Sequence, residues 1–285
     1  MKILIIGGSR FIGPALIKEL LERDHQVTVF NRGNKEMRFS KGVEIVNGDR
    51  NKAFGISKDF DVVIDTCAYN EAHVKKAIEE LKFGRYFFIS TAAAYAKTEI
   101  FPLREDSTPT GAWPLWKEYG IDKARAENFL MASGKKCVIL RPVYILGKEN
   151  HVARESFIYG KIAKGEPLVL PGNGNAAIQF VFVQDVAKAI TALVESDDNG
   201  IYNICGDDSI TLNGLVKEMG RIIGKEPIIG YNPSADGIGF SPDEFPFANE
   251  NFFCSNEKIK KAGIRFTPFL AGLKNDYEGY YKKLI

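Results

Sequence analysis

The segment Lys2 to Gly13, KILIIGGSRFIG, runs an apolar strand directly into a glycine-rich turn and then into an amphipathic helix. No other stretch narrows the possible folds as much. Glycines without Cβ atoms let backbone N–H groups approach a bound phosphate, and the following helix N-terminus adds a partial positive charge. Gly7, Ser9, Arg10, Phe11, Ile12 and Gly13 are therefore the candidate contacts for a nucleotide pyrophosphate. Such glycines also serve tight packing alone, so the reading needs support from elsewhere in the chain.

The rest of the first half alternates short apolar runs with helical patterns, as parallel βαβ construction requires. Strands are predicted at 2–6, 27–30, 43–46, 61–65, 85–90 and 137–141. Helices are predicted at 11–23, where Ile12, Leu16 and Leu20 share one face, and near 70–82 and 117–133. Wholly apolar strands suit a sheet covered by helices on both faces. After Pro142 the pattern changes to short strands at 168–170, 180–183 and 201–204 among helices near 153–164, 184–196 and 211–224. The stretch 230–254, rich in Pro, Gly, Asn and Phe, reads as a loop or lid ordered by substrate.

Several function classes are disfavoured by composition. The 285 residues carry 38 basic and 36 acidic side chains, a net charge of +2, which gives no long-range attraction for nucleic acid. No apolar run reaches the ~18 residues that span a bilayer, and the N-terminus lacks a signal-peptide pattern. Cys67, Cys137, Cys205 and Cys254 are scattered in apolar sequence, and His25, His73 and His151 share no ligand-like spacing. Reduced thiols, no metal and a cytoplasmic location are the expectation.

Tyr119 and Lys123 lie four apart on a predicted helix and so share a face. A phenol of pKa near ~10 is a poor base at neutral pH, but a nearby ammonium favours its ionised form. Thr91, with Ser90 beside it, ends a predicted strand and can hold the substrate oxygen that exchanges a proton with Tyr119. Together with the glycine loop, these are the parts of a hydride-transfer site.

From GGSRFIG through YGIDK and LRPVYILG to FVFVQDVAKA and YNICG, the chain resembles the extended short-chain dehydrogenase/reductase family, the NAD(P)-dependent epimerase/dehydratase group. The resemblance implies an α/β fold: a Rossmann doubly wound parallel sheet with a smaller C-terminal substrate lobe. Residues 1–145, joined by 178–204, would form the dinucleotide-binding domain, and 146–177 with 205–285 the substrate lobe. It implies an oxidoreductase or epimerase/dehydratase acting on a small carbonyl or sugar-derived substrate. Tyr119 would be the acid/base, Lys123 its tuner and the ribose holder, and Thr91, four residues before Tyr95, the orienting hydroxyl.

The same resemblance supplies further cofactor contacts. Asp49 matches the position that bonds the adenine amino group, and Arg50 beside it joins the expected contacts. Thr66, Cys67 and Ala68 match small residues along the pyrophosphate and nicotinamide ribose, with Ser90, Pro142 and Tyr144 near the nicotinamide end. NAD-using relatives place an acid where this chain has Asn31; a neutral residue followed by Arg32, with Arg10 across the loop, favours NADP over a still possible NAD. Sugar-nucleotide relatives commonly carry Asn at Tyr144 and Arg at Gln179, so any grip on a diphosphate would fall to Arg141, Lys148, Arg154 or Arg265. A homodimer through the helices near 70–82 and 117–133 is also implied. Arg10 in mid-loop and Asn31-Arg32-Gly33 look most like the branch that includes the chloroplast stem-loop RNA-binding proteins. That likeness leaves two alternatives, an RNA-associated scaffold and a non-catalytic NADP(H) sensor.

Overall fold

The computed structural model describes residues 1–34 and 42–285, the side chain of Ile238 excepted. A seven-stranded, wholly parallel sheet forms its centre. Six strands come in order from the first half: β1 (Lys2–Ile6), β2 (Gln26–Asn31), β3 (Val43–Asn47), β4 (Asp59–Asp65), β5 (Lys82–Ile89) and β6 (Cys137–Pro142). Alternate residues of β1 serve opposite layers. Ile3 and Ile5 join the core under α1 (Ile12–Leu21), whereas Leu4 and Ile6 join the core under α2 (Glu71–Glu80) and α3 (Lys117–Ala132). Each face is closed by helices, which is why the strands are apolar throughout.

The spatial order is β10-β6-β5-β4-β1-β2-β3. From β1 the chain steps outward to β3, then returns to lay β4 on the other side of β1. This reversal opens a crevice at the carboxyl ends of β1 and β4, where doubly wound sheets take their ligands.

Beyond β6, the strands β7 (Tyr144–Leu146), β9 (Ala177–Phe182) and β11 (Ser209–Thr211) form a small sheet, and β8 (Leu168–Pro171) pairs in parallel with β12 (Ile229–Asn232). The helices α4 (Glu155–Lys164), α6 (Leu212–Ile223), α7 (Glu257–Lys261) and α8 (Phe269–Gly279) complete this part. Between them, α5 (Val183–Glu195) packs beside α1, and β10 (Gly200–Ile204) returns to the main sheet against β6. Arg85 on β5 fixes that return. Its guanidinium donates to the carbonyls of Val194 at 3.4 Å, Ser196 at 2.5 Å and Asp198, across the turn from α5 to β10.

Strands β7 and β11, three residues each, are too short to show a sequence period, and β12, α7 and α8 also lay outside the pattern. The stretch 230–254 departs most from expectation. It begins within β12, and Phe245, Phe247, Phe252 and Cys254 are no more than 3% exposed. Aromatic rings at irregular spacing anchor it, so much of the expected loop is core.

Candidate active site

The glycine loop follows β1 at the crevice. Gly7 and Gly8 have φ of +97° and +75°, the left-handed region that favours glycine. A Cβ on Gly13 would stand 2.1 Å from the Gly8 carbonyl oxygen, so no side chain fits there. Thr66, at the end of β4, donates to the Ile6 carbonyl at 2.9 Å and accepts the Gly8 N–H at 3.1 Å. Its hydroxyl thus knits the two strand ends together. No side chain caps the start of α1, and its first turn holds no acid. Free backbone donors beside a cradle without Cβ atoms fit a dinucleotide pyrophosphate, with Ser9, Arg10 and Ile12 at its rim. Phe11 is turned inward, its ring edge-on to His151 at 5.9 Å.

At the end of β2, the Asn31 side-chain oxygen accepts the Gly33 N–H at 2.7 Å, and Arg32 is exposed. Asp49 accepts the backbone and side-chain N–H groups of Asn51 at 3.0 and 3.1 Å. Those bonds, and then the Arg32 charge, hold its carboxyl below the usual range. Arg50 points elsewhere. Its guanidinium forms a two-pronged pair with Asp65 at 2.8 and 2.9 Å and donates to the Cys67 sulfur and the His73 carbonyl. Asp65 also accepts the Tyr86 hydroxyl at 2.7 Å and the Cys67 N–H at 3.1 Å. Arg50 therefore holds the segment after β4 in place. Burial pushes the Cys67 thiol up to about 11, leaving it inert at neutral pH.

Helix α3 brings Lys123 under this segment. Its ammonium donates to the Ala68 and Ile89 carbonyls, each at 2.7 Å, and burial lowers its pKa to about 8. One turn earlier stands Tyr119, whose ring centroid lies 5.9 Å from that ammonium. Tyr119 is 43% exposed as a residue, yet burial of its phenol raises that group's pKa, with Thr91 and Arg154 pulling it back. Thr91 stands close enough to favour the phenol's ionised form, and its hydroxyl oxygen accepts the Ala93 N–H at 3.2 Å. Thr91, Tyr119 and Lys123 are thus brought together. Ser90 faces away, bonding Glu127 in a buried network. Glu127 pairs with Arg141 at 2.5 Å, and Arg141 lies 4.4 Å over the ring of Tyr95.

The wall facing Tyr119 comes from beyond β6. Pro142 is buried at the end of that strand. Tyr144 sits among Trp116, Phe180, Phe247 and Phe252, with ring centroids 5.0–6.0 Å away. Arg154 lies 5.1 Å over the Tyr144 ring. Gln179 is engaged by backbone, its amide bonding the Gly206 carbonyl and the Cys254 N–H at 2.8 Å each. Arg141 is 0% exposed and committed to Glu127, while Lys148 and Arg265 are exposed. Of the arginines and lysine named as substitutes, Arg154 alone has its charge coupled to Tyr119. Trp116 and His151 were not anticipated as site neighbours. Trp116, three residues before Tyr119, had a signal in that spacing.

The sequence profile of the NAD dependent epimerase/dehydratase family matches residues 3–82 and 71–205. The chain belongs to that family. It is 32% identical over 282 residues to the chloroplast stem-loop binding protein of 41 kDa b from Arabidopsis thaliana, covering 91% of this chain and 73% of that protein. It is 27% identical to a putative UDP-glucose 4-epimerase from Methanocaldococcus jannaschii, covering 82% and 87%. The fold matches UDP-glucose 4-epimerase from Thermotoga maritima, solved with UDP-glucose, at a TM-score of 0.79 and 22% identity over the full length of both chains. It also matches UDP-glucuronic acid 4-epimerase from Bacillus cereus in complex with NAD, at 0.81 and 18% over 100% and 99%. No helix among the described residues is long and apolar enough to cross a membrane.

Proposed function

We propose that the chain is a nicotinamide-dependent oxidoreductase or epimerase/dehydratase of this family that uses Tyr119 as its acid/base, prefers NADP and acts on a small carbonyl or sugar-derived substrate. Residues 1–145 and 178–204 would carry the cofactor, and 146–177 with 205–285 the substrate. The observation that carries the reading is the meeting of Thr91, Tyr119 and Lys123 beside a glycine cradle. The bound nicotinamide would supply hydride acceptance and return.

The protein's own groups do the rest. With its pKa raised, the Tyr119 phenol is protonated at neutral pH and ready to donate to a carbonyl oxygen. Thr91 holds that oxygen and, with Arg154, favours the phenolate that remains. Lys123, fixed by two carbonyls, retains a further N–H for the ribose hydroxyls. Family membership and the neighbours with NAD support the cofactor class; the exposed Arg32 supports the NADP preference.

Calorimetric titration of NADP and NAD, followed by single-turnover loss of NADPH absorbance with a carbonyl panel, tests the reading. Arg32→Ala should weaken NADP by about tenfold, the worth of roughly one charge-assisted contact, and leave NAD unchanged. Equal weakening of both would remove the 2′-phosphate role. The Arabidopsis relative's name favours an RNA-associated alternative. Tight, salt-sensitive RNA binding without nicotinamide binding would establish that instead.

A further inference from the structure

Among the described residues, Arg154 is more sparsely partnered than the other enclosed cations of the two walls. Arg50 faces Asp65, Arg141 faces Glu127, and Arg85 and Lys123 rest on backbone carbonyls. Arg154, at the start of α4, donates from Nη1 to the Ile145 carbonyl at 3.2 Å but has no carboxylate within ion-pair distance among the described residues. Its Nε is enclosed and without a hydrogen-bond partner there. Arg50, Arg85 and Arg141 also leave one N–H unmatched, but each has at least two other strong acceptors where Arg154 has one. Glu155, next in the chain, turns its carboxylate to the Gly147 N–H at 2.6 Å and the Asn150 amide at 3.0 Å.

The guanidinium is held in place by aromatic faces, 5.1 Å from the Tyr144 centroid and 5.9 Å from that of Phe247. Trp116 lies against the same Tyr144 ring, and its Nε1 is likewise enclosed and unpartnered. Trp113 shows the ordinary outcome, its Nε1 bonded to Glu250 at 2.5 Å. Burial, and then the charges of Arg10 and Arg154, lower the His151 pKa and favour its neutral ring, so Arg10 and Arg154 are the cations here. A planar guanidinium held on the same Tyr144 ring as a second unmatched donor suits a carboxylate or phosphate, which accepts two or more N–H bonds at once.

We propose that Arg154, with Trp116 Nε1 as a second donor, receives an anionic group carried by the substrate close to the carbonyl that Tyr119 serves. The proposal rests on the reading of Tyr119 as the acid/base. It makes the substrate an acid or phosphorylated compound and disfavours a neutral one, because a site built around an unpaired cation rejects a ligand that leaves it unpaired.

The test is titration of the NADP-saturated protein with oxalate, inorganic phosphate and UDP, followed by calorimetry and tryptophan fluorescence. At least one probe should bind saturably to the wild type. Arg154→Met should weaken it at least tenfold, Arg154→Lys by less, and Trp116→Phe by a few-fold. Arg221→Met, which removes an exposed charge on α6, should change nothing. A preference for oxalate assigns a small acid, and one for UDP a nucleotide diphosphate; either supports the site. No saturable binding, equal binding by wild type and Arg154→Met, or an equal loss in Arg221→Met overturns it. The Lys variant preserves the test if the Met variant does not fold. NADP affinity is read in the same experiment. Loss of NADP binding with anion binding still dependent on Arg154 sinks the oxidoreductase reading alone.

Discussion

The two walls of the crevice handle charge in opposite ways. On the sheet side, Arg50 lies against Asp65, Glu127 against Arg141, and Lys123 against the Ala68 and Ile89 carbonyls. On the facing side, Arg154 lies over the rings of Tyr144 and Phe247, and no carboxylate among the described residues pairs with it. A wall that neutralises itself can hold an invariant ligand through backbone and hydroxyl groups. One that leaves a cation open demands that the ligand complete it. Specificity should therefore reside beyond β6, and stability and chemistry on the sheet.

Glu127→Gln should produce the largest effect. It strands Arg141 in the interior and costs about 3–5 kcal/mol, the usual penalty for removing one partner of a buried pair. Urea unfolding measures it, and a loss below about 1 kcal/mol would break the contrast between the walls. Tyr119→Phe should come next, lowering turnover by about 100-fold or more with NADP affinity nearly intact. Unchanged turnover would take the phenol out of the chemistry.

Lys123 gives a smaller, pH-dependent effect. Its ammonium is present below about pH 8 and lost above it, so its hold on the cofactor ribose weakens as pH rises. NADP affinity should fall roughly tenfold between pH 7 and pH 9 in the wild type and stay flat in Lys123→Met. A parallel fall in both would assign the titration to another group. Smallest of all, Arg154→Met should change stability by about 1 kcal/mol or less, because no buried carboxylate is left behind. A loss as large as that of Glu127→Gln would mean that Arg154 is structural after all.

The sheet was legible because its signals are local. Four apolar residues after Lys2, ending in glycines, mark β1 and its loop, and four-residue spacing on α3 puts Tyr119 and Lys123 on one face. What escaped depends on partners far along the chain. Arg50 neighbours Asp49 in sequence, but its orientation is set by Asp65 on another strand. Tyr144 matched a cofactor-lining position, and only the aromatics between 245 and 252 reveal that its ring faces a packed wall. Arg154 was visible as one cation among several. Its isolation emerges only when Glu155 is seen turned to Gly147.

The late return of β10 has a consequence for biosynthesis. Until residues 200–204 leave the ribosome, β6 presents a bare flank, with backbone donors and acceptors open to any passing strand. Arg85 meanwhile waits for carbonyls at 194–198 that have yet to be made. The nascent protein must shelter that unfinished edge from the completion of β6 at Pro142 until β10 arrives, and the closing of that edge falls in the last third of the message.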